Sequence, residues 1–165
     1  MTTTAPQPVT HVPPGPNGTG STRYAVFIRC QQLFGVSIEL VREVLPGQAL
    51  TFVPRAQEHV LGVLNLRGEI LPVVVADTWL GLPAIADDPN QPILVLRRGD
   101  LLMGLRVDSI WNVLNIPAPE VQPHPTAGQQ TCLSGIWYSE NRPAITLISG
   151  NVLLDAVCQD LSERM

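Results

Sequence analysis

The residues of this chain best suited to chemistry are His59, His124, Cys132 and the adjacent acids Asp87 and Asp88, and their placement gives them little to do together. A thiol nucleophile would need Cys132 beside His59 or His124, yet these lie in unrelated stretches and no Gly-x-Ser-x-Gly elbow is present. Cys30, Cys132 and Cys158 form no C-x-x-C and no H-E-x-x-H occurs, so no zinc site is expected. Asp87-Asp88 precede Pro89-Asn90, a loop signature, and read as solvated acids. The chain has no lysine. A P-loop, which needs its lysine on the phosphates, and a Schiff-base enzyme are both excluded. No catalysis, metal or cofactor is expected.

The bulk numbers agree with a binding module. Of 165 residues, 45% are hydrophobic and only 15% charged, which gives a generous core and a rather apolar surface of the kind that meets protein partners. A net charge of −4 argues against nucleic acid. No apolar stretch is long enough for a membrane span, so no direct insertion is expected. The start carries neither a basic n-region nor an apolar h-region, and three scattered cysteines suit a reduced compartment, so a cytoplasmic location is expected.

Residues 1–22 are uncharged and crowded with proline, glycine and threonine, and they read as a disordered tail. Asn17-Gly18-Thr19 matches a glycosylation sequon by chance. The ordered unit is expected over 23–158, with 159–165 the end of a helix or a frayed tail. Tyr24 to Cys30, Leu33 to Ile38 and Val41 to Leu45 read as strands, and Leu50 to Val53 as extended. Ala56 to Leu61 is expected to make one helical turn. Gly62 to Leu66 and Ile70 to Val75 form the strongest hairpin, turning at Arg67-Gly68-Glu69, with Pro72 expected at an edge or bulge. Trp79 to Leu82 reads as a coil or turn, with Trp79 exposed. Further hairpins join Ile93–Arg97 to Leu101–Val107 and Leu133–Ser139 to Ala144–Ile148. Ser109 to Leu114 is another strand and Pro117 to Gln130 a long loop. Val152, Leu153, Ala156, Val157 and Leu161 share one face of a closing helix capped by Asn151. Many short strands followed by one helix argue for an all-β fold of two small barrels of about five strands each.

The stretch Gly62-Val63-Leu64-Asn65-Leu66-Arg67-Gly68-Glu69-Ile70-Leu71-Pro72-Val73 resembles the G-V-x-N-L-R-G signature of the CheW family. Phe34-Gly35-Val36 with Val41-Arg42-Glu43-Val44, Pro54, Gly104-Leu105-Arg106-Val107-Asp108-Ser109-Ile110, Leu133-Ser134-Gly135-Ile136 and Leu153-Leu154 are similar to further family elements, in the family's order. The resemblance implies two five-stranded SH3-like barrels and a non-enzymatic adaptor of chemotaxis-type two-component signalling. It implies two partners, the cytoplasmic tip of a chemoreceptor and the regulatory domain of a CheA-type histidine kinase, and a place in receptor arrays. The family's P-V-[IV]-D-L-R stretch is replaced by Pro72-Val73-Val74-Val75-Ala76-Asp77, which points to altered partner specificity and to a type IV pilus or phototaxis branch as the alternative. A small-barrel enzyme or peptide binder outside signalling is the remote alternative.

Alternation puts Leu64 and Leu66 inward and Asn65 and Arg67 outward. Arg67 is the leading candidate contact, with Asn65 and Gly68 on the same corner and Glu43 near it; the bland alternative for each is a solvated residue. Val36 and Ile38 read first as core and second as contacts in a seam or groove. Asp108 is expected to fix a turn or bond a backbone amide.

Overall fold

The structure, a computed structural model, describes residues 20–126 and 131–162, with the side chains of 161 and 162 left aside. The sequon, most of the tail, residues 127–130 of the long connection, the Leu161 side chain and 163–165 lie outside what is described.

In chain order the strands are β1 (Ser21–Arg29), β2 (Gln32–Ser37), β3 (Val41–Leu45), β4 (Val60–Leu66), β5 (Glu69–Val74), β6 (Ile93–Arg98), β7 (Leu101–Arg106), β8 (Ser109–Pro117), β9 (Val121–Pro123), β10 (Leu133–Trp137) and β11 (Ile145–Ile148). Helix α1 (Asp77–Leu80) is a single turn and α2 (Gly150–Ser162) closes the fold. One sheet runs β3-β6-β7-β5-β4 and the other β8-β1-β2-β11-β10-β9. The chain therefore starts in the second sheet, builds the whole of the first, and returns. We call these the central and terminal barrels. Each holds one parallel pair, β5 with β7 and β11 with β2. The expected five strands are met in the central barrel, while the terminal one gains the three-residue β9 from what was expected to be loop.

Period-two alternation divides the apolar residues among three cores. On β6, Ile93 and Val95 enter the central barrel, while Leu94 and Leu96 face the other way. On β1, Val26 enters the terminal barrel while Ala25 and Phe27 face the other way. These second faces meet, with Phe34, Met103, Leu105 and the α2 residues Leu153, Leu154 and Val157, in one core between the barrels.

Several expectations are corrected. Strand β1 begins at Ser21, two residues inside the segment read as tail, because Ser21 and Thr22 pair with Pro117 and Ile116. Ala56 to Leu61 makes turns and the start of β4 in place of a helical turn. Pro72 sits in an interior strand; β5 pairs with β7 only from Val73, so its missing N–H is not called on there. Ser149, not Asn151, caps α2: its hydroxyl accepts the Val152 N–H at 3.3 Å. Val152 points to solvent, and the buried face is Leu153, Leu154 and Val157. Trp79 lies in α1, half-buried against the shared core, with its ring edge-on to His59 at 4.8 Å.

The end of α2 is fastened to the loop before β4. Gln57 donates to the Asp160 carbonyl at 2.7 Å, and His59 Nδ1 stands 3.2 Å from the Asp160 carboxylate. Burial lowers the His59 pKa from 6.5, against the smaller opposing pull of Asp160. The unfolded chain therefore holds a proton that the folded one resists, and stability falls as pH drops below 6.5. Urea denaturation of His59→Gln across that range is expected to show a flatter pH dependence than the parent.

Gly62 has φ +152°, and a Cβ there would stand 2.7 Å from the Thr51 carbonyl oxygen. This glycine lets the Thr51 segment bond both ways to Val63, at 2.8 and 2.9 Å. Gly62→Ala is expected to cost about 1–2 kcal/mol in urea unfolding.

Candidate partner-binding site

The β4–β5 hairpin makes the corner anticipated from the alternation. Leu64 and Leu66 are buried in the central barrel, and Asn65, Arg67 and Gly68 are exposed. The reversal uses two left-handed residues, Arg67 at φ 51° and Gly68 at φ 88°. Asn65 locks it by accepting the Gly68 N–H on Oδ1 at 2.8 Å.

Although β3 and β4 are opposite edges of the central sheet, its curl returns the hairpin to β3. Arg67 forks onto Glu43 through Nη1 at 2.7 Å and Nη2 at 3.1 Å. Arg42, beside Glu43, reaches Glu69 at 3.3 Å, and Arg97 of β6 reaches the same carboxylate at 3.5 Å. The Arg67 hydrogen bonds hold the Glu43 carboxyl below its usual range. The Arg67 side chain is 65% exposed, and a pair so wetted adds little stability. What the fork does is aim the guanidinium, whose outer edge stays open to solvent. Ile70, 64% exposed, stands opposite Asn65 on the outward face of the hairpin.

The corner thus gathers Asn65, Arg67, Gly68 and Glu43. Val36 does not join it: at 1% exposure it belongs to the core between the barrels, and as placed it cannot touch a partner. Ile38 is half-buried against that core, at the start of the 3-10 turn Ile38–Leu40. The alternation that places Asn65 outward also places Ile70, its cross-strand neighbour, outward. Arg42, Glu69 and Arg97 gave no local signal.

A second ionic cluster has no local signal in the sequence. Arg29 of β1, 1% exposed, forks onto Asp77 through Nε at 2.8 Å and Nη2 at 2.9 Å, and reaches Asp108 at 3.2 Å. Asp108 accepts the Cys30 N–H at 2.9 Å, which bears out its expected bond to a backbone amide. Asp77 follows β5 of the central barrel, so the pair joins the two barrels. Within the Val75-Ala76-Asp77 departure, Ala76 and Asp77 are buried and bear on internal packing, while Val75 is half-buried.

Nothing at either cluster resembles a catalytic centre. His59 is engaged by Asp160, and the buried Cys132 gives its S–H to the Trp79 carbonyl, with burial pushing the thiol up to about 11. Among the described residues no three His, Cys, Asp or Glu are placed to hold a metal. No helix among them is long and apolar enough to cross a membrane.

The comparisons agree with this architecture. A chemotaxis protein CheW of Rhizobium meliloti is 36% identical over 94 residues, covering 57% of this chain and 61% of the relative's length. Protein FrzA of Myxococcus xanthus is 30% identical over 128 residues, covering 76% of this chain and 80% of FrzA. The crystal structure of the scaffolding protein TtCheW from Thermoanaerobacter tengcongensis superposes with a TM-score of 0.70 at 25% identity, covering 81% of this chain and 92% of that one. The CheW-like domain model matches residues 23–158. With that span covering nearly the whole described structure, the chain belongs to the CheW-like domain family.

Proposed function

We propose that this chain is a non-catalytic adaptor that couples the cytoplasmic tip of a chemoreceptor to the regulatory domain of a CheA-type histidine kinase. The observation that carries the reading is the exposed β4–β5 corner, where an aimed guanidinium stands with Asn65 and the apolar Ile70. Arginine with apolar surface beside it is a frequent interface anchor. Two small barrels packed on one shared core hold their outer surfaces in fixed relation, which suits a scaffold inside a receptor array.

The test uses purified components. Full-length chain is mixed with the kinase regulatory domain and with a receptor cytoplasmic fragment encoded near it, and complexes are read by size exclusion and calorimetry. Binding of both partners, together and apart, is expected. A chain that binds neither overturns the adaptor reading.

A further inference from the structure

The two barrels are built on one plan. In the central barrel β3 pairs with β6, β6 with β7, β7 in parallel with β5, and β5 with β4. In the terminal barrel β8 pairs with β1, β1 with β2, β2 in parallel with β11, and β11 with β10. Five strands correspond one to one, with β9 the extra strand of the terminal barrel, which also takes its β1–β2 hairpin from the start of the chain. The details correspond too. The β3–β6 register skips Arg42, and the β8–β1 register skips Trp111. The β4–β5 register shifts before Gly62, and the β10–β11 register shifts before Gly135. Both glycines make room for a third segment: a Cβ would meet the Thr51 carbonyl oxygen at 2.7 Å in one and Val121 at 2.6 Å in the other.

The correspondence places the β10–β11 hairpin where the Arg67 corner stands in the central barrel. Tyr138, three residues after Gly135 as Asn65 is three after Gly62, is 56% exposed. Asn141 makes the turn at φ 67°. The guanidinium of Arg142 lies over the Trp111 ring at 5.6 Å, so the edge strand and the hairpin meet through an arginine on an indole. In the central barrel the equivalent contact is ionic, Arg42 to Glu69. Trp137 is buried below, its indole N–H donated to Glu120 at 3.1 Å. Arg142 differs from Arg67 in one respect that matters for binding. Arg67 is held by Glu43, whereas Arg142 has no carboxylate partner among the described residues. The indole face holds the guanidinium in place, and among the described residues no carboxylate fills its donors.

The geometry points to a second docking corner on the terminal barrel, formed by Tyr138, Arg142 and Trp111, that takes a partner segment presenting a carboxylate beside an apolar side chain. Tyrosine, tryptophan and arginine are the residues that most often anchor interfaces. The two corners differ in chemistry, so each takes its own protein surface. This inference rests on the adaptor reading for the identity of the partners tested.

The experiment measures the affinity of full-length chain for the purified kinase regulatory domain and, separately, for the receptor fragment. Arg142→Glu, Arg142→Lys and Tyr138→Ala are compared with the parent, with thermal unfolding as the check on folding. Arg142→Glu is expected to weaken one partner by about tenfold or more and leave the other within about twofold. Arg142→Lys keeps the charge but loses the planar fork and is expected to fall between. Tyr138→Ala, at a residue whose ring is mostly in solvent, reports on the corner without the charge change. If the parent binds both partners and all three folded variants bind both equally well, the corner is not a docking site and the adaptor reading stands. If the parent binds neither, the adaptor reading itself fails.

Discussion

Arg29→Met is expected to lower the free energy of unfolding by about 3–5 kcal/mol. The reason is what the substitution leaves behind. Asp77 is 5% exposed and receives both of its short bonds from the Arg29 fork. Methionine fills much of the volume but offers no donor, so a carboxylate remains buried without compensation. Asp108, whose side chain is 25% exposed, can turn to water and loses less. The double variant Arg29→Met/Asp77→Leu separates the two contributions. A buried ion pair is weak in net terms because removing two charges from water offsets most of their attraction. The double variant is therefore expected to recover most of the loss in urea denaturation. Should the single variant cost less than about 1 kcal/mol, Asp77 reaches solvent once Arg29 is gone, and the pair does not fasten the barrels.

Arg67→Glu is expected to weaken binding of a partner by about 2 kcal/mol or more while leaving the melting temperature close to the parent's. The asymmetry follows from exposure. The Arg67 fork to Glu43 is open to water, so losing it costs little folding energy. At an interface the same guanidinium loses its water and becomes a main source of binding energy. The change also sets two carboxylates against each other where the fork now stands. The swap Glu43→Arg/Arg67→Glu restores the internal pair but presents the opposite charge outward. Binding should stay weak in the swap, whereas recovery would mean the pair acts only by shaping the hairpin. Calorimetry on both partners reads the difference. Equal affinity of folded Arg67→Glu for both partners would remove this corner from the function.

The strand hairpins were legible because their signals are local. Alternation over Gly62 to Val75 and the glycine at the turn place Leu64 inward and Arg67 outward without reference to the rest of the chain. The same reasoning failed where tertiary contacts override local preference. Trp79 looked like a loop residue but is drawn under the barrels by the shared core, and the neighbouring Asp77 is held by an arginine 48 residues away. Val36 alternates as a strand residue on either account, and only the packing of β2 against the second barrel decides that its side chain is enclosed.

The amino-acid order by itself determined that this chain is β-rich with one closing helix, and which side of its signature hairpin faces water. Those properties follow from periodicity and turn chemistry within a dozen residues. Only the tertiary structure decided that β1 and β2 complete a barrel begun by β8, that Glu43 stands within reach of Arg67, and that Arg142 lies over Trp111. Such pairings join residues tens of positions apart, through the curl of a sheet whose closure no short stretch of sequence encodes.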